Sequence, residues 1–101
     1  MDIIFEIIDK NERKIKLTQK TWKHIKKHPH MEENRLDELK QIIKNPLISR
    51  FSEENESVLY YYKEHKEMPP EERYLFISVK YLNGSGFVIT SFFTNRITGL
   101  K

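Results

Sequence analysis

Residues 23 to 31 read KHIKKHPHM and gather three of the chain's four histidines among three lysines, with no acid in the run. Imidazole exchanges protons near neutral pH, and ammonium groups hold anionic oxygen. Together they suit proton transfer at a phosphodiester. A base would take the proton of a ribose 2′-hydroxyl, an acid would protonate the departing 5′-oxygen, and cations would hold the charge on the non-bridging oxygens. Such chemistry requires neither metal nor cofactor. On a helix, Thr21, His24 and His28 share one stripe. Both histidines then stand near the helix C-terminus, where the dipole favours a protonated ring while Lys26 and Lys27 oppose it.

Two other readings of the pair compete. HIKKH has the i, i+4 spacing of a zinc helix, but Ile25 stands where a metalloprotease helix has its glutamate, and three lysines repel a dication. The rings could also simply cap, pack or solvate.

The elements that carry these residues can be read from pattern. Residues 2 to 9 are β-branched and aromatic, a strand, and KIKL (14–17) alternates as a second, joined to it by the turn-like KNER. Thr18 is a good N-cap for a helix over 19 to 28, with Leu17 and Trp22 as a hydrophobic staple and Pro29 ending it. A second helix is predicted over 32 to 44, with Leu36, Leu39, Ile42 and Ile43 as its apolar stripe and Pro46 beyond it. Strands follow at 47–51, 57–63, 74–82 and 86–94. The last two flank Asn83, Gly84 and Ser85, a hairpin signal. A three-residue loop would pair 81 with 87, 79 with 89 and 75 with 93, whereas a two-residue loop would mix the faces. That register also pairs Ser78 with Thr90 and sets Lys80 diagonal to Thr90, so three polar groups gather on the face away from the helices. A plain wet sheet face is the alternative.

The chain's 101 residues suffice for one core, with no cysteine for disulfides, thiolate metal sites or a thiol nucleophile. No apolar run reaches membrane-spanning length, and IIFEII (3–8) is too short for a signal core. The net charge of +3 hides a strong segregation. Residues 13–31 hold seven Lys/Arg and residues 73–101 hold four, neither with an acid, while 32–72 carries eleven acids against six Lys/Arg. If the two acid-free segments meet, they make a basic face suited to a phosphate backbone; otherwise they are solvated surface.

Taken in order, several stretches resemble the motifs of phage-associated barnase/EndoU/colicin/RelE-like nuclease domains. KIKLTQKTWKHIKKHPHM (14–31) is similar to their opening, where a strand ending in isoleucine-leucine-threonine enters a helix bearing Trp, His-Ile and His-Pro. IIKNPLI (42–48), YYYK (60–63), YLFISVKY (74–81) and FVITSFFTNRITG (87–99) resemble the later helix end and strands, so the likeness covers nearly the whole chain. It implies metal-free ribonuclease activity, among toxins of toxin–antitoxin systems or phage-borne and secreted effectors. By motif, His24 and His28 match the two helix histidines, Lys80 the basic residue ending the penultimate strand, and Thr90 the threonine of the last. Ser91 stands where alanine is common, and Phe92 where tyrosine is common, so a phenol at that place is missing.

The expectation is one α+β domain over 1–101. It has two N-terminal-half helices packed on one face of a curved antiparallel sheet of about four strands, with an extra N-terminal hairpin. The expected function is a cytoplasmic, metal-independent endoribonuclease that leaves a 2′,3′-cyclic phosphate. Its partners would be RNA, either tRNA or mRNA, and a protein antitoxin or immunity protein, with no membrane and no cofactor. His24, His28, Lys80 and Thr90 are the catalytic candidates. Lys27, Arg73, Lys80 and Arg96 would hold phosphate, Ser78 would contact the substrate, and Tyr60 and Tyr62 would stack a base or pack in the core. A silent RNA-binding module and a protein-interaction domain on the same basic face are the alternatives.

Overall fold

Alternating apolar residues drive the first two strands. Phe5 and Ile7 are buried along β1 (Ile3–Ile8), as are Ile15 and Leu17 along β2 (Lys14–Thr18). Asp9 closes the turn between them, accepting from the amides of Asn11 (2.9 Å) and Arg13 (3.0 Å) and from Arg13 Nε (2.9 Å). The structure, a computed structural model, describes residues 2–101.

Thr18 caps α1 (Gln19–Ile25) as expected: its hydroxyl accepts from the Thr21 amide at 3.2 Å, and Leu17 and Trp22 are both buried. The helix stops three residues short of the predicted end. Pro29 disfavours helical geometry at His28, and the chain leaves the helix through i+3 bonds from Lys27 to His24 O (3.2 Å) and from His28 to Ile25 O (3.0 Å). His30 then takes a φ of 67° and turns the chain away. The second helix also starts late. A 3₁₀ turn over Glu33–Arg35 precedes α2 (Leu36–Lys44), which buries Leu39, Ile42 and Ile43.

The remaining strands are β3 (Ile48–Phe51), β4 (Val58–Glu64), β5 (Tyr74–Leu82) and β6 (Ser85–Thr94). They do not form a separate four-stranded sheet. The N-terminal hairpin joins them in one six-stranded sheet of order β1-β2-β6-β5-β4-β3. The sheet is mixed rather than antiparallel, because β2 runs parallel to the start of β6, from Lys14 opposite Ser85 to Lys16 opposite Phe87. Gly86 permits that junction: a Cβ there would lie 2.7 Å from Lys80 O and 3.1 Å from Ile15 Cδ1. Both helices pack on one face, over a core that includes Leu75, Ile77, Val79 and Val88.

The β5–β6 hairpin reaches the expected alignment by another route. Its turn has two residues, Asn83 and Gly84, both at positive φ (49° and 82°), the type I′ geometry. Lys80 therefore opposes Phe87 and Val79 opposes Val88, not the predicted 81–87 and 79–89 pairs. One extra residue in β6, Ile89, forms a bulge and leaves its side chain exposed. Beyond it Ser78 faces Thr90 and Leu75 faces Phe93, as the face-matching argument required.

A polar cluster ties α2 to the sheet. Glu38 is bound by Arg35 (2.9 Å), Lys63 (2.8 Å) and His65 Nε2 (2.7 Å), and His65 Nδ1 lies 2.7 Å from Glu67. Burial pushes the Glu38 carboxyl up, but the hydrogen bonds from Lys63 and Arg35 and the neighbouring His65 outweigh it and hold the group below its ordinary value of 4.5.

Gly86→Ala should destabilise the fold by roughly 1–3 kcal/mol, seen as a lower urea midpoint at unchanged slope; a midpoint equal to the parent's would show that the β2–β6 junction has slack. Because Glu38 titrates lower in the folded than in the unfolded state, its contribution is full above about pH 4.5 and is lost as pH falls through the folded value. Glu38→Gln should thus lower Tm at pH 7 and flatten the loss of stability below about pH 4.5. Parallel Tm-against-pH curves for the two proteins would contradict this.

Candidate functional site

The face of the sheet turned away from the helices is not an ordinary wet face. Tyr60 and Tyr62 from β4, Phe76, Ser78 and Lys80 from β5, and Thr90 and Phe92 from β6 all project from it by strand alternation. Cross-strand register sets Tyr60 beside Ser78 and Thr90, and Tyr62 beside Phe76 and Phe92. The rings touch in a chain. Phe92 and Phe76 have centroids 4.9 Å apart, and Phe76 lies 5.1 Å from Tyr60 and 5.2 Å from Tyr62. Such tilted and edge-on contacts suit the ring quadrupoles.

The two helix histidines reach this face over the edge of β6. β2 pairs only with Ser85–Phe87, so the rest of that edge lies open to α1 and the turn after it. The His28 ring comes within 5.3 Å of Phe92, and His24 meets His28 edge-to-face at 6.0 Å. The helix ends before His28, yet the i+3 bonds keep the pair one turn apart. His24 is exposed and His28 half-buried. Thr90, two residues before Phe92, shares its face. His30 does not join them; it faces Phe93 (5.9 Å) and pairs with Glu72 (3.1 Å).

The far end of the face is roofed by the chain after β6. The Thr98 amide donates to the Tyr62 hydroxyl (3.1 Å), which also lies 3.2 Å from Thr98 Oγ1. Leu100 and Phe51 then exchange two backbone hydrogen bonds of 2.7 Å, fixing the segment to β3. Gly99, at φ 97°, makes the crossing possible, since a Cβ there would meet Phe51 O at 2.8 Å. Beside this segment the face holds an open recess of about 310 Å³, lined by Tyr60, Phe76 and Phe92 from the sheet and by Asn95, Arg96 and Thr98 from the returning chain.

The expected site residues divide accordingly. His24 and His28 meet each other, and His28 meets Phe92, while Thr90 lies two residues along the same face of β6. Tyr60 and Arg96 line the cavity, while Lys27 is exposed in the turn that carries the histidines. Lys80 shares the face, but the Ile89 bulge separates it from Thr90, so the expected diagonal contact is replaced by neighbours Val58 and Phe87. Ser78 has the predicted partner but is only 5% exposed, which makes it part of the support rather than a ligand-facing group. Tyr62 is 2% exposed and its phenol is spent on Thr98, so its face is not open to a base. Arg73 stands apart from the cavity wall; its carbonyl accepts from the His65 amide (2.7 Å), and its Nε is buried without a partner among the described residues.

Sequence reasoning did not assign Phe76, Phe92, Asn95 or Thr98 to the site. A signal existed for the first two, since Phe76 opposite Tyr62 and Phe92 opposite Phe76 put aromatic rings among the polar residues of the outer face. Nothing local marked the returning segment.

The acid-free segments do meet, because β2 lies beside β6 and α1 along its edge. Acids from outside intrude: Asp9 pairs with Arg13 and Glu72 with His30, and Glu33 binds Lys26 (3.2 Å) and the Trp22 indole (3.3 Å), hydrogen bonds that hold its carboxyl below the ordinary value. Among the described residues no three His, Asp or Glu side chains converge as a metal centre would need.

Removing the Tyr62 phenol should loosen the roof without emptying the core. Tyr62→Phe is expected to cost about 0.5–1.5 kcal/mol and to speed hydrogen exchange at the Thr98 amide; unchanged exchange there would mean that the Leu100–Phe51 pairing alone holds the segment. No protein-family model matches the chain, and neither the curated proteins nor the solved structures yield a match.

Proposed function

We propose that this protein is a metal-independent endoribonuclease whose fold belongs to the barnase/EndoU/colicin/RelE-like group. The observation that supports the reading is the contact of His28, itself beside His24, with Phe92 of the closing hairpin, two residues along the same face from Thr90. One neutral imidazole takes the 2′-hydroxyl proton as the 2′-oxygen attacks phosphorus. The other, protonated, delivers its proton to the 5′-oxygen as the P–O5′ bond breaks, leaving a 2′,3′-cyclic phosphate and a 5′-hydroxyl. Thr90 Oγ1 donates to a non-bridging oxygen, and Lys27, Lys80 and Arg96 supply positive charge along the path of the backbone. A cellular RNA, tRNA or mRNA, is the substrate. A toxin role, with a protein antitoxin that covers the basic face, fits the same surface.

A second reading has its own support. Among the described residues the contacts of His24 and His28 are with rings and not with an orienting carboxylate. That arrangement suits a module that binds RNA without cutting it.

Single-stranded RNA incubated with the protein in chelator separates the two. Cleavage should leave 2′,3′-cyclic phosphate ends, and His24→Ala and His28→Ala should each slow it by about 100-fold or more while RNA binding persists. RNA that is bound but never cut would favour the silent module. Cutting at the parental rate by both variants would remove the imidazoles from the mechanism.

A further inference from the structure

We infer that the open edge of β1 takes an acidic, extended segment of another protein as a seventh strand of the sheet. The inference is independent of the ribonuclease reading, because this surface lies on the other flank of α1 from the imidazoles. His24 turns toward His28 and the edge of β6. Lys23 and Lys26, on the opposite flank, line a groove of about 440 Å³ together with Lys20, Trp22, Glu33 and Ile4 of β1.

The strand edge selects a polypeptide. β1 is the last strand on its side of the sheet and pairs only with β2, so its other side presents amide and carbonyl groups that another extended backbone can match. A bulge between the pairs Ile3–Thr18 and Phe5–Leu17 interrupts the edge at its start, which leaves residues 5–8 as the regular stretch. That stretch has no proline, and its one charged residue, Glu6, stands opposite Lys16.

The flanking charges select an acidic one. Lys14 and Lys16, opposite Ile8 and Glu6, border the edge on the outer face, and Lys20, Lys23 and Lys26 border it along the groove on the helix face. Among the described residues, only Lys26 of the three groove lysines has an acidic partner, Glu33 at 3.2 Å; Lys20 and Lys23 are exposed. An incoming strand sends alternate side chains to the two faces, so carboxylates on either face meet lysines. Self-pairing of β1 from two copies would instead set lysine border against lysine border. RNA would meet the same cations, but it has no backbone that completes a β-ladder. Trp22, at 3% exposure, offers a base no ring face.

The test uses the full chain and a short synthetic peptide of alternating glutamate and valine. Its controls are the same peptide with lysine for glutamate and the acidic peptide with a central proline, which cannot continue a ladder. The acidic peptide should bind about 10-fold or more tightly than either control, weaken by a similar factor in the double variant Lys20→Glu/Lys23→Glu, and weaken with added salt. On binding, hydrogen exchange should slow at the β1 amides that β2 leaves unpaired, and His24→Ala should bind as the parent does. No binding of the acidic peptide, equal binding of either control, or unchanged exchange along β1 would overturn the inference. Displacement by an equal concentration of single-stranded RNA would assign the lysine ridge to nucleic acid instead. A dimer of the protein alone, with those β1 amides already protected, would give the edge to a second copy. Whether the protein cuts RNA alters none of these outcomes.

Discussion

The single inserted residue in β6 governs both faces of this sheet. A two-residue turn at Asn83–Gly84 favours tight strand pairing, but alone it would set the apolar residues of β6 against the polar ones of β5. Ile89 absorbs the mismatch by stepping out of the ladder. As a result Val88 and Ser91 face the helices, with the Ser91 hydroxyl donating to Phe76 O (2.7 Å), while Thr90 and Phe92 face the other way. Without that step Thr90 would turn toward the buried side and His28 would lose its aromatic neighbour.

A sheet that is apolar on both faces needs two covers. The helices supply one through Trp22, Ile25, Leu39 and Ile43. The other is only partial. Residues 95 to 100 cross the outer face at one end, held by Tyr62 and by the pairing of Leu100 with Phe51. Burying aromatic rings there contributes favourably, on the order of 25 cal/mol for each Å² removed from water. The part left uncovered becomes the aromatic cavity. The same burial that stabilises the sheet thus leaves a recess bordered by Phe92, the ring that His28 touches.

Local signals are legible in the sequence. The Thr18 cap, the Leu17–Trp22 staple, the stripe of α2 and the bounds of β5 all depend on neighbours a few residues apart, and the structure reproduces them. Non-local pairing was not legible. Nothing in KIKL announces a parallel partner seventy residues later, since parallel pairing depends on Gly86 yielding space that only the folded chain requires. The bulge was hidden for a related reason: face-matching demanded the right register but could not say whether the loop or the strand would supply the extra residue. Within the candidate site, the nearness of His24 to His28 was legible from their spacing, and the pairing of Ser78 with Thr90 from face-matching. The burial of Ser78 and Tyr62 was not, because it is imposed by a segment that carries no periodic pattern.

The parallel seam between β2 and β6 also orders events in time. Residues 14–18 must wait for residues 85–87 before they find their neighbour, and closing so long a loop makes assembly slow compared with a helical protein of this size. On a translating ribosome the two imidazoles emerge early, attached to a hairpin that has no sheet to dock on. Their aromatic counterpart and the roof above it are among the later residues to appear. A nascent chain halted before residue 85 therefore exposes the histidines without their aromatic neighbour, and this surface is complete only after the closing strand has left the exit tunnel.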